Sequence, residues 1–239
     1  MDSIKINKYN TKMVAHRGLS GIELENTNAS FIAAGNRSYY GIETDVHKTS
    51  DGRFVVFHDD TTGRICDENL HVEETPFATL RALHLNDKYG DKERADTLIP
   101  TLKEYIATCK RYDKIAVLEL KNEFEKDEIA AICEEIKELD YLPQVIFISF
   151  SFVNMLRLRE LYPEQDAQFL TSIYQDDLPQ ILGAHKLGID IEYTQLTEER
   201  IKAFHAHGVK INCWTCDDVE FAENLAKWGI DYITSNILE

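Results

Sequence analysis

Short β-branched runs alternate with helical stretches along almost the whole chain, and few architectures accept that order. Strand-like runs fall at residues 11–16, 41–47, 53–58, 114–120, 145–149, 167–171, 188–191, 209–213 and 231–234. Helical patterns separate most of them, at 26–37, 102–111, 125–139, 152–161, 178–187, 197–207 and 217–228. Regular alternation of this kind predicts an α/β fold with a parallel sheet, and this many units predict closure into a (β/α)8 TIM barrel. A length of 239 residues suits one such domain, spanning 1–239.

Nine strands are one more than the barrel needs. Asp51-Gly52 is a two-residue hairpin signal, so the run 53–58 is expected to lie antiparallel to 41–47. A parallel crossover would need about a dozen residues. The hairpin then opens a small insertion after the second strand, about residues 47–99, closed by the polar stretch 86–97 and Pro100.

Charge narrows the function. Twenty-six basic against 42 acidic side chains give a net charge of −16. Such a surface repels polyanions and anionic membranes, which argues against nucleic acid and against stable membrane association, and in favour of a small-molecule substrate. Any cation set in a pocket against that field is informative. The longest apolar runs are of strand length, far too short to cross a bilayer. Residues 1–12 mix Asp, Lys and Asn without the apolar stretch of a secretory signal, so a cytoplasmic location is expected. The five cysteines are scattered. The lone Cys213-Trp-Thr-Cys216 pair lacks the second pair or nearby histidine of a zinc site, and reduced structural thiols are expected.

In a barrel of this type, functional groups gather at the C-terminal ends of the strands. The first strand ends in His16-Arg17-Gly18 and the second carries Glu43 and Asp45. The next carries Glu119 and runs into Lys121, and a late strand runs into Trp214. Residues two apart share a strand face, so Glu43 pairs with Asp45 and Glu119 with Lys121. A solvated strand face looks the same, but a closed barrel demands that inward acids be paired or bound to metal. A two-residue turn at Asp51-Gly52 would pair Ser50 with Arg53 and set His58 directly opposite Asp45. Three carboxylates and few thiols favour one hard divalent cation, Mg²⁺ or Ca²⁺. Arg17 and Lys121 suit an anionic group, although Arg17 is equally placed to brace Glu25, and Trp214 suits either a substrate lip or the core. Two histidines, His16 and His58, supply a general base and a general acid. Phosphodiester cleavage is the chemistry implied. No partner is evident for His47, His71, His84 or His185, and His205 and His207 point to different sides of a helix.

At these residues the sequence resembles the glycerophosphodiester phosphodiesterase family. The matching pieces are Val14-Ala-His-Arg-Gly18, Glu25-Asn-Thr27, Gly41-Ile-Glu-Thr-Asp-Val46, Thr49-Ser-Asp-Gly52, Val55-Val-Phe-His-Asp59, Leu118-Glu-Leu-Lys121 and the late Trp214, in family order. The resemblance implies a TIM barrel with a small insertion after the second strand. It implies hydrolysis of glycerophosphodiesters to glycerol 3-phosphate and an alcohol. It also implies Glu43, Asp45 and Glu119 as metal ligands, His16 and His58 as the acid–base pair, and Arg17 and Lys121 on the phosphate. In the family's usual account one histidine activates the glycerol 2-hydroxyl, the other protonates the departing alcohol, and water opens the cyclic phosphate. We assign His16 as base and His58 as acid. The pattern departs at Leu24, where the family usually has proline before Glu-Asn-Thr.

Two other functions fit the same barrel. A phospholipase-type phosphodiesterase acts at membranes and usually shows an apolar or basic rim; the net charge argues against it, and Tyr39, Tyr40, Phe77 and Tyr89 are the candidates for an apolar lip. A non-catalytic binding barrel would have lost a histidine or a carboxylate, and none is lost.

Overall fold

The computed structural model describes residues 2–87, 89–90, 94 and 96–239. The strands are β1 (Lys12–Ala15), β2 (Gly41–Lys48), β3 (Phe54–Val56), β4 (Ile115–Leu120), β5 (Val145–Ser149), β6 (Ala167–Thr171), β7 (Gly188–Glu192), β8 (Ile211–Trp214) and β9 (Tyr232–Ser235). Eight of them run parallel in the order β8-β7-β6-β5-β4-β2-β1-β9, and β3 pairs with β2 off that path. Side-chain and backbone bonds span the seam between β8 and β9. Asn212 Nδ2 donates to Thr234 Oγ1 at 3.0 Å, and the Cys216 N–H donates to Thr234 O at 3.0 Å. The result is a nearly closed TIM barrel.

The helices are α1 (Asn28–Gly35), α2 (Phe77–Arg81), α3 (Leu102–Tyr112), α4 (Lys126–Lys137), α5 (Phe152–Leu161), α6 (Leu178–Ala184), α7 (Glu198–Ala206) and α8 (Val219–Lys227). Helix α3 illustrates why they form. Thr101 accepts from the Glu104 N–H while the Glu104 carboxylate accepts from the Thr101 N–H, a reciprocal cap. Leu102, Tyr105, Ile106 and Cys109 then recur on one buried face. The main core lies between this outer ring and the strands. Val14, Val117, Ile146, Ile148, Leu170 and Tyr232 form a second cluster, whose strand positions alternate with those of the outer core and fill the lumen.

Between β2 and α3 the chain carries β3, a 3-10 turn (Thr62–Arg64) and α2. These pack on a cluster of their own, in which Val55, Phe57, Leu80, Leu85 and Ile99 meet Leu24. Leu24, standing where the resemblance calls for proline, therefore joins the barrel to the excursion's own core. The polar stretch expected to end it, 86–97, lies partly outside the described residues.

The hairpin register differs from the expectation by one residue. Val46 pairs with Val56 and Lys48 with Phe54, so Thr49 faces Arg53 across a three-residue loop, Ser50-Asp51-Gly52. Gly52 takes φ +77, the left-handed turn residue of a three-residue hairpin loop. The Asp45 main-chain carbonyl consequently accepts from the Phe57 N–H at 3.1 Å, and His58 is not its ladder partner. His58 comes to the mouth by another route: β3 ends at Val56, and the chain turns after Phe57 buries itself in the excursion's core.

The proposed aromatic rim does not assemble. Tyr39 is buried, and Tyr40 lies against Tyr232 with Lys12 above its ring. Both precede β2, at the end of the barrel opposite the strand C-termini. Phe77 sits under Arg53, and only Tyr89 projects freely.

Candidate active site

The carboxylates converge as the spacing predicts. Glu43 and Asp45 of β2 and Glu119 of β4 each offer an oxygen within 4.8 Å of the others, and all three are buried. Asp45 and Glu119 are ladder partners, which sets them side by side across neighbouring strands. Lys121 Nζ lies 3.2 Å from Glu119 Oε1 and 3.6 Å from Asp45 Oδ1. Burial and the Asp45 charge push both Glu43 and Glu119 upward. Burial also pushes Asp45 up, but Lys121, Arg17, His58 and the Asn26 amide outweigh it and hold Asp45 at about 2. Asp45 Oδ1 and Glu119 Oε1 are buried without a hydrogen-bond partner. Lys121 faces both of these oxygens without hydrogen-bonding them, and three carboxylates buried together with a single ammonium call for further protons or a further cation. An all-oxygen donor set fits a hard divalent ion.

Arg17 is held in a strained conformation. Its φ is +52, unusual for a residue with a Cβ, and Gly18 follows at +76. This turn aims the Arg17 N–H at Glu43 Oε2, 2.8 Å away. The guanidinium reaches Glu25 Oε1 at 2.9 Å and stands 3.8 Å from Asp45 Oδ2. The bracing of Glu25 is therefore real, and Arg17 faces the carboxylate cluster at the same time. Asn26, also left-handed and buried, donates to Asp45 Oδ2 at 2.8 Å and accepts from Thr44 Oγ1 at 2.7 Å.

Each imidazole is oriented by a partner. Asn236, just past β9, gives its amide N–H to Asp217 Oδ2 at 2.6 Å, which turns its carbonyl toward His16 Nδ1 at 2.8 Å. Nδ1 therefore carries the proton. Nε2, 4.0 Å from Glu43 Oε2, keeps its lone pair. Burial, then the Arg17 charge, lower His16 to about 4. His58 Nδ1 donates to Asp59 Oδ1 at 2.6 Å. Burial, Arg17 and Lys121 lower His58, whereas Asp45 and Asp59 oppose them.

Several contributors escaped the sequence reading, Asn26 among them. Asn236 continues the inward alternation of β9 two residues beyond Thr234, a signal that was available. Asp59 adjoins His58 in the His-Asp pair. His47 has partners after all: Glu73 Oε1 lies 3.3 Å from its Nδ1, and the His58 carbonyl lies 3.5 Å from its Nε2. On the far side of the mouth the rim is open. Phe150 and Trp214 meet edge to face at 5.6 Å, with Phe150 47% exposed, and Glu192 is the ladder neighbour of Trp214.

Buried carboxylates, two oriented imidazoles and two cations thus meet at the strand ends of one TIM barrel, an arrangement suited to a hydrolase of phosphodiesters. Comparison with known proteins agrees. Residues 16–238 match the glycerophosphoryl diester phosphodiesterase family model. A glycerophosphodiester phosphodiesterase of Caldanaerobacter subterraneus is 29% identical over 95% of this chain and 94% of its own length. A phosphodiesterase of Oleispira antarctica, solved with the product sn-glycerol-3-phosphate, is 30% identical with a TM-score of 0.87, covering 95% of this chain and 93% of that one. A glycerophosphodiester phosphodiesterase structure from Parabacteroides distasonis is 27% identical, with a TM-score of 0.80 over 96% of this chain and 94% of that one. The chain belongs to the glycerophosphoryl diester phosphodiesterase family.

Proposed function

We propose that this enzyme hydrolyses glycerophosphodiesters to glycerol 3-phosphate and an alcohol, using one divalent cation, Mg²⁺ or Ca²⁺, and a His16/His58 acid–base pair. The observation that carries this reading is the meeting of three buried carboxylates from two strands with two separately oriented imidazoles. Glu43, Asp45 and Glu119 would hold the cation, which when bound polarises a phosphoryl oxygen. Arg17 and Lys121, the cations nearest that cluster, bind the phosphate anion. Trp214 with Phe150 walls the substrate cleft. The whole chain serves as one catalytic unit, with the excursion after β2 as its insertion.

His16 is neutral at physiological pH with Nε2 free, the state of a base. It takes the proton of the glycerol 2-hydroxyl as that oxygen attacks phosphorus. His58, with Nδ1 held by Asp59, gives a proton to the departing alkoxide as the phosphorus–oxygen bond breaks. Bound phosphate offsets Arg17 and Lys121 and favours the imidazolium that this step needs. Water then opens the five-membered cyclic phosphate to glycerol 3-phosphate. Five free, buried cysteines support a reducing, cytoplasmic setting. Among the described residues no helix is long and apolar enough to cross a membrane.

The test is release of glycerol 3-phosphate from glycerophosphocholine with Mg²⁺ or Ca²⁺, and its loss in chelator. His16→Ala and His58→Ala are each expected to lower kcat by about 10²–10⁴-fold. A p-nitrophenyl ester of glycerol 3-phosphate leaves without a proton, so it should restore much of the His58→Ala rate and little of the His16→Ala rate. Full turnover by His16→Ala in chelator would overturn the reading.

A further inference from the structure

The insertion reaches into the site through one residue that neither the carboxylate cluster nor the imidazole pair includes. Arg64 ends the 3-10 turn after β3. That turn is fixed to the excursion by the Thr62 N–H, which donates to Leu70 O at 3.0 Å. From there all three guanidinium nitrogens donate to carboxylates. Nε donates to Asp59 Oδ2 at 2.5 Å, while Nη1 and Nη2 donate to Glu25 Oε2 and Oε1 at 3.0 and 2.6 Å. Asp59 holds His58, and Glu25 holds Arg17. Arg64 thus stands at the middle of an unbroken chain, His58–Asp59–Arg64–Glu25–Arg17.

We propose that Arg64 is a positioning residue for the reaction, coupling the imidazole at the leaving-alcohol end to the guanidinium at the phosphate end; this rests on the proposed function above. The charges explain why an arginine is needed. Asp59 and Glu25 are two anions, and Arg17 alone cannot satisfy both while also facing phosphate. Arg64 supplies the second cation and makes the quartet neutral. Its planar fork fixes both carboxylates at once, which the single ammonium of lysine cannot do. Without it, Glu25 competes with substrate for Arg17, and Asp59 is free to rotate and lets the His58 ring turn with it. Small misplacements of a reacting group cost on the order of 10²-fold. The Arg64 side chain is 45% exposed, so its replacement removes little packing.

The experiment compares Arg64→Met, Arg64→Lys, Asp59→Asn and the Arg64→Met/Asp59→Asn double variant on two substrates. One is glycerophosphocholine, whose alcohol needs a proton; the other is the p-nitrophenyl ester, which does not. Arg64→Met is expected to lower kcat on glycerophosphocholine by roughly 10–100-fold, with a much smaller loss on the ester and a raised KM on both. Arg64→Lys should recover part of the KM effect and little of kcat. The double variant should lose less than the product of the two single losses, because both act through one ring. Melting temperatures within a few degrees of wild type would accompany these effects. Equal kcat losses on both substrates, or fully multiplicative losses in the double variant, would overturn the assignment of Arg64. A wild-type enzyme that cleaves neither substrate would instead overturn the functional reading beneath it.

Discussion

Glu43 and Glu119 fold against their own charge. Burial and Asp45 raise both, Glu119 to about 8, so in metal-free protein the folded state holds protons that the unfolded chain has already released. A group raised in this way contributes stability at low pH and loses it as pH climbs through the folded value. His16 acts in the opposite sense: lowered to about 4, it costs stability as pH falls from about 6.5, its unfolded value. Above that point the carboxylates alone remain, and metal-free protein should melt at a lower temperature at pH 8 than at pH 6.5. Glu43→Gln keeps the shape and removes one anion. It is expected to melt at or above wild type in chelator at pH 8, and to lack the rise in melting temperature that Mg²⁺ or Ca²⁺ should give wild type on the proposed reading. Scanning calorimetry with and without metal reads both effects. Asp190 is a further buried acid, and burial raises it despite the Asn212 amide 3.1 Å from Oδ2. Asp190→Asn should gain stability over wild type as pH rises, by the same sign, without touching metal response.

At the scale of elements, the turn after β1 controls more than its own shape. A Cβ on Gly18 would meet Ser30 Oγ at 2.4 Å, and that hydroxyl donates to Arg17 O at 2.9 Å. Gly18→Ala therefore forces a left-handed alanine into the atom that pins Arg17. It should cost about 1–3 kcal/mol in urea unfolding and a larger fraction of kcat/KM than of stability. The strands and helices were legible because buried parallel strands and one-sided helices leave plain periodicities, and the Glu43, Asp45, Glu119 cluster follows from alternation once the strands are closed into a barrel. The hairpin register was not. Asp-Gly serves both as the centre of a two-residue loop and as the end of a three-residue loop, and nothing local separates the two. The Asn236–His16 contact joins residues 220 positions apart, and Arg64 enters from an irregular segment with no period to read. Alternation could place Asn236 on the inward face, but neither which side chain it meets nor the reach of Arg64 leaves a local trace in a sequence.

Across the whole molecule, the net charge of −16 opposes the approach of a phosphodiester anion, while Arg17 and Lys121 attract it only at short range. Salt screens distant charges first, since the screening length is about 10 Å at 0.1 M. Raising ionic strength from about 20 to 150 mM with an inert salt should therefore raise kcat/KM modestly, the reverse of a positively steered enzyme. A fall in kcat/KM over that range would show that local cations dominate capture.

The mouth is uneven around its circumference. The groups assigned to chemistry come from β1, β2, β4, β9 and the hairpin, whereas Phe150, Ser172, Glu192 and Trp214 stand at the ends of β5 to β8 with partly open surfaces. Directed evolution confined to those four codons would sample new esters while every ligand and proton carrier stays in place. On the proposed assignment the barrel would separate what is transformed from how it is transformed, so selectivity could drift generation by generation without passing through a dead catalyst.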